Sequence, residues 1–240
     1  LGTLNEVLRD AKKNRYAVGL FNTVNLEMAK GVLAAAEEVR APVIIGTAEV
    51  LLPYAELEDL SYFLLPLAKK SSVPVVLHFD HGLTEVRVKQ AISLGFSSVM
   101  YDCSTLDFSG NCHAVAELTA YAHSRGVTVE GELGHVGAND SCSEGEGQDD
   151  YSLYTEPEDA RRFAESTGVD ALAVSIGTAH GTYKSKPRLD FERLAAIASL
   201  VEAPLVLHGG SGLSDEDFRR AIQNGIAKVN IFTDINTAQA

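Results

Sequence analysis

Three of the seven histidines in the chain are each followed directly by glycine: His81-Gly82, His180-Gly181 and His208-Gly209. Each pair stands where a short apolar run gives way to polar residues, so each imidazole is delivered at the end of a strand-like segment. Three neutral imidazoles converging from separate strands suit a catalytic Zn²⁺, which takes such nitrogens at about 2.0–2.1 Å and keeps a position open for substrate. Asp80, next to His81 in the run His78-Phe79-Asp80-His81-Gly82, is a natural proton-transfer group. His78 shares strand parity with Asp80 and is expected to support or pack against the site. Glu130 and Glu132 share a face by the two-residue strand period, and either is a candidate further ligand or a buffer of the site's charge. His113 and His123 fall on a helical pattern, and His135 falls in a loop.

A second chemistry sits beside the first. His208-Gly209-Gly210-Ser211-Gly212 offers backbone N–H groups and a hydroxyl ahead of a helix capped at Ser214, and Asn230-Ile231-Phe232-Thr233 follows the next apolar run. Successive backbone N–H groups form anion cradles.

These groups need a frame that collects strand ends on one rim. Apolar runs at 17–21, 43–46, 75–79, 98–101, 128–132, 171–175, 205–208 and 228–231 read as strands. The intervening amphipathic stretches (27–40, 83–94, 112–125, 157–167, 191–201 and 215–224) are long enough to cross back over a parallel sheet. Ser214 with Asp217 forms a capping-box pair, Leu213 with Phe218 has staple spacing, and Pro157 sits in a first turn. Eight such units in 240 residues predict a single-domain (β/α)8 TIM barrel over 1–240. Catalytic groups of that fold gather at the C-terminal strand ends, and the loops after strands seven and eight often hold phosphate. No G-x-G-x-x-G follows a strand, which argues against a dinucleotide fold. The aperiodic stretch 134–154, rich in Gly, Ser, Asp and Glu, is expected to be a mobile active-site loop. Only nine residues follow the eighth strand, so the eighth helix is expected to be absent or barely begun.

Composition narrows the partners. With 33 acids against 20 Lys plus Arg, the chain carries a formal charge of −13 and repels nucleic acid and anionic membrane surfaces. No apolar run is long enough to span a bilayer, and no signal peptide is evident. Cys103, Cys112 and Cys142 form no disulfide-rich pattern, which favours a reducing cytoplasm.

In the stretches Leu77 to Gly82, Val129 to Gly134, Asp170 to Gly181, Pro204 to Gly212 and Lys228 to Ile231, the chain resembles the class II, metal-dependent ketose-bisphosphate aldolases. The resemblance implies Asp80 as proton donor and acceptor, and His81, His180 and His208 as zinc ligands, with Glu132 matching the family's carboxylate near the metal. It places Gly181, Gly209, Gly210, Ser211, Asn230, Ile231, Phe232 and Thr233 around dihydroxyacetone phosphate, with a monovalent cation near that phosphate. It further implies a homodimer or homotetramer. The implied reaction is reversible cleavage of a phosphorylated ketose, such as fructose or tagatose 1,6-bisphosphate or a related ketose 1-phosphate, to dihydroxyacetone phosphate and an aldehyde. No carbonyl-trapping lysine is needed, and Lys228 reads as the first residue of its strand.

The chain departs from the family pattern at three places, one being that the family's C-terminal helices, which help build the dimer, are expected to be missing or truncated. Many members carry Gly-Gly-x-Glu-Asp after the fifth strand, whereas Gly137-Ala138-Asn139-Asp140-Ser141 stands here and makes Asp140 the candidate loop acid. Phe232 replaces the Asp of fructose-cleaving members and the small residue of tagatose-cleaving ones. The rival readings are a zinc hydrolase, for which the required H-x-H pair is absent, and a catalytically silent barrel that binds metal or sugar phosphate.

Overall fold

The computed structural model describes residues 1–136, 153–183 and 187–239. Eight parallel strands close in sequential order into one barrel: β1 (Val18–Asn22), β2 (Val43–Ala48), β3 (Val75–Gly82), β4 (Ser98–Tyr101), β5 (Thr128–Leu133), β6 (Ala171–Val174), β7 (Leu205–Leu207) and β8 (Ile226–Ile231). β8 pairs with β1, so no strand edge is left open. The helices are α1 (Leu4–Asn14), α2 (Leu26–Val39), α3 (Leu57–Lys70), α4 (Glu85–Leu94), α5 (Phe108–His123), α6 (Pro157–Thr167), α7 (Phe191–Leu200), α8 (Asp215–Gln223) and the short α9 (Thr233–Gln239). The eighth strand is thus followed by a seven-residue helix.

Two apolar layers hold this frame. Alternate residues of the strands (Val43, Ile45, Leu77, Val99, Val129, Leu172, Leu207) pack outward against helix residues such as Leu60, Leu64, Leu118, Phe163 and Ile197. The other parity (Val18, Leu20, Ile44, Val76, Ala171, Val206) forms a separate cluster inside the barrel, and Leu4, Val7, Leu8 and Ala11 of α1 pack against it. The barrel floor is therefore apolar and plugged, leaving the opposite end for chemistry.

Local signals set the helix ends. Ser214 accepts from the Asp217 N–H in a reciprocal capping box, and α6 starts with Pro157 in its first turn. α3 is not evident as a helix in the sequence, because Pro66 interrupts its pattern. The helix tolerates that proline on its exposed face while Leu57, Leu60, Leu64 and Ala68 are buried. β8 begins two residues before the apolar run suggests, at Ile226, so Lys228 is interior to its strand and not at its start.

Gly46 pairs with His78 between β2 and β3, and a Cβ there would stand 2.4 Å from the His78 carbonyl oxygen and 3.2 Å from Asn22 Oδ1. The Gly46→Ala protein is expected to lose about 1–3 kcal/mol through forced strand separation. Thermal melts read this as a fall in Tm of several degrees, and an unchanged Tm would contradict the close approach.

Candidate active site

β3 carries the turn on which the site depends. His78 and Asp80 share one parity and point inside. The β3–β4 register then shifts between Phe79 and Gly82, with His81 at φ +41°, a left-handed conformation rare for a residue with a Cβ. That irregularity delivers Asp80 and His81, neighbours in sequence, to the same rim.

The three predicted imidazoles meet. Ring centroids lie 4.9 Å apart for His81 and His180, 4.5 Å for His81 and His208, and 5.7 Å for His180 and His208. One nitrogen from each falls within 4.8 Å of the others. His81 Nε2 and His208 Nδ1 face each other at 2.8 Å, while their outer nitrogens are held by carboxylates: His81 Nδ1 by Asp102 Oδ2 at 2.8 Å and His208 Nε2 by Glu130 Oε1 at 2.9 Å. An ionised carboxylate only accepts, so each outer nitrogen carries a proton; the inner pair shares a further proton, which a bound cation would displace. Glu132 Oε2, buried without a hydrogen-bond partner, stands 3.6 Å from His208 Nδ1. This donor set, three imidazoles with an unsatisfied carboxylate beside them, fits a Zn²⁺.

Asp80 is buried and accepts from Asn22 Nδ2 at 2.7 Å and from Asn230 Nδ2 at 3.1 and 3.3 Å. Burial opposes its charge, but His81, the His78 hydrogen bond, Lys228 and His208 together hold it well below the usual carboxylate range. Burial also opposes the charge of His81, yet Asp80, the Asp102 hydrogen bond and Glu132 push it up to about 9. His180 is pulled down to about 3 by burial and by the charges of His81 and His208. Glu132 is pushed up to about 8 by burial and by Asp102.

A cavity of about 510 Å³ opens above these groups, lined by Asp80, His81 and His180 together with Gly181, Gly209, Ser211, Asn230, Ile231, Phe232 and Thr233. Gly210, expected in the phosphate cradle, is not among its walls. Its N–H donates to the Asn230 carbonyl at 3.0 Å, and a Cβ there would meet Val229 Cγ1 at 2.6 Å, so this glycine serves packing. The Gly212 N–H is likewise taken, by Asp234 Oδ2 at 3.0 Å. A larger groove of about 1210 Å³ lies at the other end of the barrel around α1 and α6, away from the imidazoles.

Over the whole barrel the chain matches the family model for class II fructose-bisphosphate aldolase, from residue 2 to residue 240. The chain belongs to the class II fructose-bisphosphate aldolase family. It is an aldolase, a lyase that cleaves carbon–carbon bonds. The Escherichia coli K12 protein YdjI, whose crystal structure is described as that of an aldolase, superposes with a TM-score of 0.88 at 38% identity, covering 99% of this chain and 83% of that one. A 6-phospho-5-dehydro-2-deoxy-D-gluconate aldolase of Shouchella clausii is 43% identical over 95% of this chain and 77% of its own. A fructose-bisphosphate aldolase of Thermus caldophilus is 42% identical over 97% and 83%. No helix among the described residues is long and apolar enough to cross a membrane.

Four groups of this aldolase's rim escape sequence reasoning. Asn22 and Asp102 end β1 and follow β4, strands whose ends carry no histidine, although strand-end position alone would have nominated them. His135, read as a loop residue, lines the cavity and pairs with Ser104 Oγ at 3.0 Å. Lys228 is fully buried beside Glu130. Asp140 lies outside the described residues.

The titrations have a measurable consequence. His81 rises from 6.5 unfolded to about 9 folded, so its stabilisation is complete below 6.5 and lost as pH climbs through 9. Glu132 rises from 4.5 to about 8, so its contribution falls as pH climbs from 4.5 to about 8, overlapping the lower part of that window. Chelated protein should therefore melt at progressively lower temperature from pH 6.5 to 9, whereas added Zn²⁺, which displaces the His81 proton, should bind more tightly as pH rises. A chelated protein with a flat or rising Tm across that window contradicts the assignment.

Proposed function

We propose that this aldolase is metal-dependent and reversibly cleaves a phosphorylated ketose to dihydroxyacetone phosphate and an aldehyde. The observation that carries the reading is the meeting of His81, His180 and His208 on one rim, with Asp80 beside them. Those three imidazoles, with Glu132, would hold Zn²⁺. Bound there, the ion supplies Lewis acidity to the C2 carbonyl and accommodates the negative charge that develops on its oxygen.

The chain's own groups do the remaining work. Asp80, ionised and held by the amides of Asn22 and Asn230, accepts the C4 hydroxyl proton as the C3–C4 bond breaks, and returns it in synthesis. The electron pair of that bond stays with the dihydroxyacetone phosphate half, which takes a proton at C3 to complete the product. Asp140 is the candidate acid for that proton. The phosphate is assigned to Gly181, Gly209, Ser211 and Thr233, whose location on one wall fixes the reacting carbons by orientation.

The aldehyde half is left broad. Relatives of 42–43% identity carry the names of aldolases for different sugars, and Phe232 with Ile231, Val50 and Leu51 makes part of the cavity wall apolar. Free thiols at Cys103 and Cys112 accord with the reducing cytoplasm expected from the sequence, and a homodimer or homotetramer is the assembly proposed.

Incubation with a panel of ketose 1-phosphates and 1,6-bisphosphates, following dihydroxyacetone phosphate, tests the reading; release should stop on chelation and return with Zn²⁺. Release that survives complete metal removal would falsify the Lewis-acid mechanism. Asp80→Ala is expected to keep metal and lose about 10²–10⁴ in kcat, while His208→Ala loses both metal and turnover. Wild-type turnover in the Asp80 variant would remove that residue from the chemistry.

A further inference from the structure

Beneath the imidazoles lies a charge that no step of the reaction uses. Lys228, on β8, is fully buried. Its ammonium lies 2.7 Å from Glu130 Oε2 and 2.8 Å from Asn230 Oδ1. Taking an ammonium and a carboxylate out of water costs several kcal/mol per ion, and well-packed apolar residues often replace such pairs without loss of stability. The pair is therefore poorly explained by stability alone.

Its ion pair with Glu130 and its hydrogen bond to Asn230 reach both halves of the site. Lysine donates and never accepts, so Asn230 must present Oδ1 to it, which turns Asn230 Nδ2 toward Asp80 at 3.1 Å. The same ammonium lies 2.7 Å from Oε2 of the Glu130 carboxylate, whose other oxygen faces His208. An ionised Glu130 accepts the His208 Nε2 proton at 2.9 Å and leaves Nδ1 facing His81. Glu130 Oε2 also belongs to a buried trio with His78 and Asp80 whose ligand atoms lie within 4.8 Å of one another, and the ammonium supplies a cation beside it.

We propose that Lys228 is a positioning residue of the aldolase: one buried ammonium, ion-paired with Glu130 and hydrogen-bonded to Asn230, sets the orientation of the His208 imidazole and of the Asp80 carboxylate. The inference rests on the functional reading above for the roles of His208 and Asp80. Lys228 does not line the cavity, and its role is distinct from that of a carbonyl-trapping lysine.

The test uses Lys228→Met and the charge-neutral pair Lys228→Met/Glu130→Gln. The double variant leaves no unpaired buried charge and serves where the single one fails to fold. The amide that replaces the Glu130 carboxylate can offer either an oxygen or an N–H to His208, so the tautomer is no longer fixed, and Asn230 is untethered. Both variants are expected to bind Co²⁺ about 10–100-fold more weakly with an altered visible spectrum. Turnover should fall at least about tenfold in kcat with KM within about threefold, while the double variant melts near the wild type. A folded double variant with the wild-type Co²⁺ spectrum and affinity, and with kcat within about twofold, overturns the proposal. Co²⁺ binding is read without substrate, so a wild-type protein that binds Co²⁺ but cleaves no sugar phosphate overturns the functional reading instead.

Discussion

Closing eight strands into a ring leaves an interior that side chains must fill, and in this chain the upper half of that interior is filled with groups that would each be costly to bury alone. Asn22, His78, Asp80, Ser98, Glu130, Glu132, His208, Lys228 and Asn230 are all buried. They are tolerable because most of them answer one another: His78 Nδ1 with Ser98 Oγ at 2.7 Å, Glu130 with both His208 and Lys228, Asp80 with two amides. Mutual satisfaction within a low-dielectric barrel makes such a network stiff, since moving one member strands its partner.

That stiffness separates support from reaction. Below the network, α1 plugs an apolar floor, so water has no route through the barrel from that side. Above it, the inner nitrogens of His81 and His208 and the carboxylate of Asp80 are the ends of chains of hydrogen bonds that begin at Asp102, Glu130 and Lys228. Asp80 and His208 are thus held by the same buried layer, whereas His180 stands in the segment that follows β6.

The chain's overall charge of −13 works against a phosphorylated substrate at long range. Under the proposed function, recognition would fall to short-range groups: the glycine turn after β7 and the segment after β8. Part of that turn is already committed, since the N–H groups of Gly210 and Gly212 bind the Asn230 carbonyl and Asp234. The cradle is narrower than the run of glycines suggests, and Phe232 stands in the cavity wall with Ile231 and Thr233.

The eight strands, the three convergent histidines and Asp80 were legible in the sequence, because a buried parallel strand must be a short apolar run and because such strands deliver chemistry at one end. The capping box at Ser214 and the proline-led start of α6 were legible for the same local reason. What tertiary structure decided is everything that depends on which parity faces inward and which strands become neighbours. Shifts of register at Phe79/Gly82 and at Leu205/Val206 break the simple alternation, so no count along the chain brings Asp80 and His81 to the same rim or sends Lys228 into the core toward Glu130. Asn22 lies 58 residues from Asp80, and Glu130 lies 78 from His208. Only closure of the ring makes them partners, because a strand's sequence carries its own period but not the identity of the side chain across the barrel.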